Sequence, residues 1–364
     1  MEELKSRLLS YYEKNETKVD LAFFLAGFIF DIFTLSDIDD LFSISQQVVY
    51  LSLIGAILYR EFLVDAGVET PPIRFKRLWD YRKLAVHFCM GSLLSIYSLF
   101  YLKSASFFSS IIFVAILGAL MVANELKPVQ KGGINIRMGL YVICILSFFS
   151  MLVPVILGFV GWVPLILSIS LTAFTLYGFF WLAKKRACDQ KIIRSHLLNP
   201  TGAVLGLFFA FYLIGWIPPV PLAVLHMGIY HNIVKGDGIY RVYHQNSWWK
   251  FWNRGDQDFL YRTGDRIHFF AQIFSPGRFD DSIILHWQHY DIEQGWMTTD
   301  RIPLRVTGGR AEGYRGHADK GNFQDGSWRI KVETTDGREI GRIYLAVAPD
   351  PELVAERVYT EEIY

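Results

Sequence analysis

Hydrophobic and polar positions divide this chain into two regimes. Before residue 230 the apolar residues run in long blocks, and beyond about residue 238 they alternate with polar ones. A bilayer core about 30 Å thick needs roughly 20 apolar residues as helix. Seven segments meet or approach that length: Val19–Leu35, Phe42–Tyr59, Leu84–Leu102, Ser104–Ala123, Met138–Val160, Val163–Ala183 and Ala203–Ile217. Asp31 interrupts the first and no small-residue cleavage site follows it, so that segment is expected to stay as an anchor. The last runs into Pro218, Pro219 and Pro221, then into a mostly apolar Leu222–Ile229. Eight helical residues cover only about 12 Å, too little for an eighth crossing.

From Gly238 onward, short β-type runs alternate with turn signals: Tyr240–His244, Arg266–Phe274, Ser282–Tyr290, Trp296–Val306, Trp328–Glu333 and Glu339–Val347. Asp336-Gly337 between two alternating runs is a strong hairpin signal. Ile283, Leu285 and Trp287 share one face of a half-buried strand. The expected fold is a membrane all-α helical bundle of about seven transmembrane helices followed by an all-β sandwich-like domain. The boundaries are a tail over 1–18, helices over 19–230, a sandwich over 238–349 and a polar, acidic, loosely ordered tail over 350–364.

Charge adds direction. Counted between the seven segments from the N-terminus, Lys plus Arg run 4, 0, 6, 1, 3, 0, 5, so that one side holds 18 and the other only Lys103. Cytoplasmic connections carry the excess of Lys and Arg. The N-terminus is therefore expected inside, and the region beyond residue 230 outside. The chain as a whole is 52% hydrophobic and 20% charged with a net charge of +1, which excludes a disordered chain and a basic field for nucleic acid. Cys89, Cys144 and Cys188 lack metal-ligand spacing and exclude a disulfide framework.

Several motifs resemble a family of bacterial integral membrane proteins: Ile29-Phe30-Asp31 with Thr34-Leu35 and the Asp37–Asp40 run, Phe100–Ser106, Asn124-Glu125, and Ile217–Leu222. The stretch from His286-Trp287 through Gly326-Ser327-Trp328 to Gly337 is similar to the domain that closes those proteins, one of unknown function. The resemblance implies the two-part architecture and no activity, substrate or catalytic residue.

Candidate residues fall into three groups. Asp31, Asp37, Asp39, Asp40 and Lys103 can form a polar cluster at the outer interface, either an ion, proton or docking site or a helix cap with a snorkelling lysine. Asn124 and Glu125 form a polar pair at an inner helix end, able to reach Arg60 or Lys83 but read first as a solvated terminus, while His87 is read as packed or hydrogen-bonded. Trp248, Trp249, Phe251 and Trp252 form an aromatic patch just past the membrane exit. It is read as a foot in the lipid headgroups, with a glycan or protein platform as the alternative. Seven of nine histidines lie at or beyond the exit, but His286 and His289 point to opposite faces of a strand, and no metal site or cofactor is expected.

The reading these features support is an inner-membrane protein that presents a non-catalytic binding or accessory module to the envelope. Its expected partners are the lipid bilayer and an envelope protein or glycan, and not nucleic acid. A small-solute transporter or channel is the second reading, disfavoured because only one helix is plainly broken. A membrane-embedded envelope enzyme is the third, for want of a nucleophile–base or metal constellation.

Overall fold

A computed structural model describes residues 38–71, 79–106, 108–126, 129, 133–186, 189–236, 238–246, 249–250, 252–277, 279–307, 313–351 and 356–364. The chain forms two compact units. The first comprises residues up to Leu102 with 110–154 and 163–217, and the second comprises 218–364 with the short segments 103–109 and 155–162.

The first unit is helical: α1 (Leu41–Asp65), α2 (Arg82–Ser104), α3 (Ile111–Glu125), α4 (Ile134–Leu157), α5 (Trp162–Lys185) and α6 (Gln190–Ile214). Asp40 caps α1 by accepting a hydrogen bond from the Ser43 amide at 3.0 Å, satisfying one of the free donors of a helix start. Asp189 caps α6 in the same way, and α6 absorbs a π turn at Arg194–Leu198. It ends at Gly215, whose φ of 80° supplies the left-handed C-cap. Interhelical bonds hold the bundle: Tyr101 to Ser150 at 2.6 Å, and Ser168 Oγ donating to the Phe149 carbonyl at 2.9 Å.

Five helices among the described residues are long and apolar enough to cross a membrane, against the seven spans expected. The segment Val19–Leu35 lies outside the described residues. The segment Ser104–Ala123 becomes a helix only from Ile111, because Ser104 ends α2 and 105–110 form a connection. What remains is 15 residues, about 22 Å long.

Within the apolar windows of α2 and α4, 72% and 61% of residues are buried, against 28%, 28% and 17% in α1, α5 and α6. The two central helices are covered by neighbours. The other three leave large apolar side chains exposed: Phe42 and Val49 on α1, Ile166 and Phe174 on α5, and Leu213 and Ile214 on α6.

The second unit holds three sheets, with strand orders β1-β5-β8, β4-β10-β9-β6-β7 and β11-β3-β2. The strands are β1 (Ala223–Tyr230), β2 (Asn232–Gly236), β3 (Ile239–His244), β4 (Asp258–Tyr261), β5 (Ile267–Phe274), β6 (Asp280–Asp291), β7 (Gly295–Thr307), β8 (Tyr314–Lys320), β9 (Gly326–Thr334), β10 (Glu339–Pro349) and β11 (Thr360–Ile363). All named pairs are antiparallel except β4 with β10. The five-stranded sheet and the β1-β5-β8 sheet enclose one core that includes Leu285, Trp287, Trp328, Ile330, Val332 and Phe269. The opposite face of β5 also buries Phe270, which packs with Tyr230, Tyr240 and Val242 under the third sheet. That double burial explains why β5 reads as a nearly continuous apolar run.

Two expected boundaries shift. Leu222–Ile229, placed with the helices in the sequence, forms most of β1, and its Leu222, Met227 and Ile229 face the β core. The C-terminal stretch expected as a loose tail includes β11, paired with β3 from Thr360↔His244 to Ile363↔Arg241. Arg357 ties the approach to Asp265 at 2.6 Å and to the Leu260 carbonyl at 2.8 Å.

Candidate functional site

Strand periodicity places Arg342 and Tyr344 of β10, Arg329 and Lys331 of β9, and His286 and Gln288 of β6 on the face of the five-stranded sheet opposite its core. Register aligns Tyr344, Arg329 and Gln288 in one row and Arg342, Lys331 and His286 in the next. Arg329 donates to Gln288 Oε1 at 2.6 Å and lies 4.3 Å from the Trp296 ring centre. Burial and the neighbouring Arg342 lower its pKa. His286 reaches Glu333 through Nδ1 at 3.1 Å and Thr298 through Nε2 at 2.7 Å. Glu339 accepts from Ser106 Oγ and, at 3.2 Å, from Arg342 Nε. Cations and carboxylates on this part of the face neutralise one another.

Beside it opens a cavity of about 410 Å³, walled by Ser106 and Phe108, β10, and the loop carrying Trp252 and Arg254, with Met227 among its apolar lining. Its volume is in the range of small-ligand sites. The loop is fixed from two sides. The Arg254 carbonyl accepts from the Ile229 amide at 3.2 Å, and the Asp256 amide donates to the Ile229 carbonyl at 2.7 Å. Gln257 accepts from the Arg254 amide at 3.0 Å and donates to the Tyr344 carbonyl at 2.8 Å. Gly255 sits between these bonds at φ 67°, and a Cβ there would lie 2.0 Å from the Ile229 carbonyl oxygen. Arg342 donates to the Tyr344 hydroxyl at 2.9 Å, and its guanidinium carbon lies 4.8 Å from the Phe108 ring centre.

Of the aromatic patch read from the sequence, Trp248 and Phe251 lie outside the described residues. Trp249 and Trp252 are both exposed and meet edge to face, ring centres 5.8 Å apart. Lys250 lies over Trp249 and pairs with Asp258 at 2.8 Å. Trp252 also lines the cavity. The structure thus joins the patch to Arg254, Arg342 and Tyr344, which the sequence did not single out.

Asp31 and Asp37 of the acidic group lie outside the described residues, and Asp40 is the α1 cap. Lys103 is exposed in the last turn of α2. Asn124 is not a solvated helix end: it is fully buried, its Oδ1 2.8 Å from His87 Nδ1 and its amide donating to the His87 carbonyl at 3.0 Å. Glu125 ends α3, and only its backbone is described. The helical unit adds a group not expected. Buried Glu61 pairs with buried Arg137 at 3.0 Å and with Arg82 at 3.3 Å, and Glu69 pairs with Arg60 and Arg186 at 3.5 and 3.2 Å.

A second titratable group surrounds β11. His226 stacks on Tyr364 with ring centres 4.4 Å apart, and His244 Nε2 lies 3.3 Å from Glu362 Oε1. Glu362 raises the pKa of His244 against the opposing effect of burial, and His244 lowers that of Glu362. Burial lowers that of His226.

Residues 280–347 match DUF2914, a family described as protein of unknown function. No curated protein matches the chain. Two solved structures with which it shares some likeness are an immunoglobulin-like protein from Pseudomonas aeruginosa and an alkylpurine DNA glycosylase from Pseudomonas fluorescens bound to DNA containing an abasic site analog. The first is 12% identical over 35% of this chain and 98% of that one, with a TM-score of 0.21. The second is 8% identical over 86% and 99%, with a TM-score of 0.19. Likenesses this slight bear on neither fold nor activity. The chain therefore carries a C-terminal DUF2914 domain of unknown function, preceded by helices apolar enough to span a membrane.

Proposed function

We propose that this is a bacterial inner-membrane protein whose helices anchor a β unit on the outer side, where it serves as a non-catalytic binding or accessory module for the envelope. The observation that carries the reading is the membership of the β unit. It takes in 103–109 and 155–162, two connections on the cation-poor side of the alternating charge series. The cation-rich connections supply Arg60, Arg82, Arg137 and Arg186, which meet Glu61 and Glu69 within the helical unit. Packing and charge thus favour the same sorting of connections, with the N-terminus in the cytoplasm.

The test is thiol accessibility in cells with a permeabilised outer membrane and Cys188 replaced by Ser. Cysteine at Ile292, an exposed turn residue between β6 and β7, should react with an impermeant maleimide, and cysteine at Val68, exposed after α1, should not. Labelling of Val68 alone overturns the orientation.

A further inference from the structure

We infer that the cavity between Ala105, Ser106 and Phe108, β10 and the 252–257 loop binds the phosphodiester headgroup of an anionic phospholipid. This deepens the proposed membrane placement and rests on it for the source of the ligand. Arg254 is exposed at the cavity, and no carboxylate lies within ion-pairing distance of its guanidinium among the described residues. Its backbone is clamped on both sides by Ile229 and Gln257, so the fork emerges from a fixed point. A guanidinium stays charged and matches a phosphate with two parallel N–H donors. Tyr344 accepts from Arg342 and keeps its own O–H to donate to a phosphate oxygen. The lining carries no carboxylate, and Glu339 beside it is already engaged by Arg342 and Ser106.

The rest of the lining suits the glycerol and upper acyl chain rather than a fully soluble anion. Met227 and Val224 are apolar, and Trp252 and Phe108 present exposed rings at the rim. Chain connectivity sets the depth. Ser106 follows the last residue of α2 by two positions and Phe108 precedes the first of α3 by three. At 3.8 Å per residue that wall lies within roughly 12 Å of two apolar helix ends, which is headgroup territory for a spanning bundle. Aromatic rings favour the same zone.

The test uses the full chain in non-ionic detergent, titrated with dioleoylphosphatidylglycerol, dioleoylphosphatidylcholine or glycerol 3-phosphate, with bound ligand read by native mass spectrometry. Phosphatidylglycerol should bind, and Arg254→Gln should weaken it roughly tenfold or more, the loss expected for a charged hydrogen-bond partner. Arg254→Lys, which keeps the charge and loses the fork, should fall between. Arg241→Gln, removing an exposed arginine paired with Glu361, should leave binding unchanged. Phosphatidylcholine, carrying its own cation towards two arginines, should bind more weakly. Equal binding by wild type and Arg254→Gln, or no preference for phosphatidylglycerol, overturns the inference. Glycerol 3-phosphate competing at equal concentration assigns the site to a soluble phosphate ester and overturns the lipid assignment. Binding in micelles does not depend on which side of a membrane the cavity faces, so thiol labelling at Ile292 fails or succeeds separately.

Discussion

Gly255→Ala is the sharpest test of how the cavity loop is built. The perturbation has two parts. A φ of 67° costs a non-glycine residue about 1–2 kcal/mol wherever it occurs. Here the new Cβ would also stand 2.0 Å from a backbone carbonyl oxygen, Ile229 O, which cannot rotate away. Relief requires moving the loop off β1, which loses the Ile229–Arg254 and Asp256–Ile229 hydrogen bonds at about 1 kcal/mol each. The total is about 3–4 kcal/mol. Gly264→Ala is the internal control, because φ is 94° there but nothing lies within 4 Å of the added methyl, leaving only the conformational cost. Hydrogen–deuterium exchange on the full-length protein reads the difference within the β unit. Slowly exchanging amides of β6 and β9 should lose protection by about one hundred- to several hundredfold in Gly255→Ala and about tenfold in Gly264→Ala, at 1.4 kcal/mol per tenfold. Equal losses in the two variants would refute the steric argument and with it the fixed placement of Arg254.

Two further outcomes follow from other parts of the β unit. The His244–Glu362 contact should hold β11 to β3 most firmly between the ordinary values of the two groups, 4.5 and 6.5: the raised histidine contributes fully below 6.5 and is lost as pH climbs through its folded value, while the lowered glutamate contributes above 4.5 and is lost as pH falls through its own. Glu362 is partly exposed, so the effect is under about 1 kcal/mol. Exchange at 360–363, corrected for intrinsic rates, should be a few-fold faster at pH 8 than at pH 6, and His244→Gln should flatten the profile; a flat wild-type profile would rule the contact out. For the exposed Trp249–Trp252 pair, brominated lipids should quench full-length protein in liposomes more than the Trp249→Ser/Trp252→Ser double variant, and identical quenching would remove the pair from the headgroup region.

What the sequence made legible was whatever repeats its period. Ile283, Leu285 and Trp287 alternate into the core as read, and Gly337 takes a φ of 85° in the Asp336-Gly337 turn between β9 and β10. β8 was missed although its burial alternates, because its buried positions are Gly316, Ala318 and Lys320, which carry no hydrophobic signal. Lys320 is buried by its ion pair with Asp300 and by the Trp287 and Trp328 rings, partners contributed by other strands. β1 was missed for the opposite reason: its apolar residues continue the exit from α6 without a break in composition. α6 itself begins at Gln190, ahead of the expected Ala203, because Asp189 caps it and Lys191 and Arg194 sit in its first turns without stopping it. The cavity was illegible in principle. Arg254 and Arg342 stand far apart in the chain and converge through the parallel pairing of β4 with β10 and the Gln257–Tyr344 bond, tertiary contacts with no local pattern.

The short helix α3 then acquires a constraint that neither length nor composition supplies. Segments 103–109 and 155–162 belong to one compact unit, and the chain leaves the first through α3 and returns to the second through α4. On the proposed placement, α4 crosses the bilayer, since 24 residues extend about 36 Å. Were α3 to lie along one surface, a single crossing by α4 would deliver 155–162 to the side opposite 103–109, and the two segments could not share a unit. Parity therefore favours a crossing by α3 as well. The same reasoning applies to α5 and α6, which leave from 155–162 and return to Pro218 in that same unit. On that placement a helix of about 22 Å would fall short of a core of about 30 Å, a mismatch that local thinning of the bilayer and burial of the helix among neighbours would meet. Phe113, which packs edge to face on Tyr101 of α2 and on Phe208 of α6, supplies that cover. The length rule sets aside α3 because it judges a helix alone, whereas the path of the chain judges it together with the helix that brings it back.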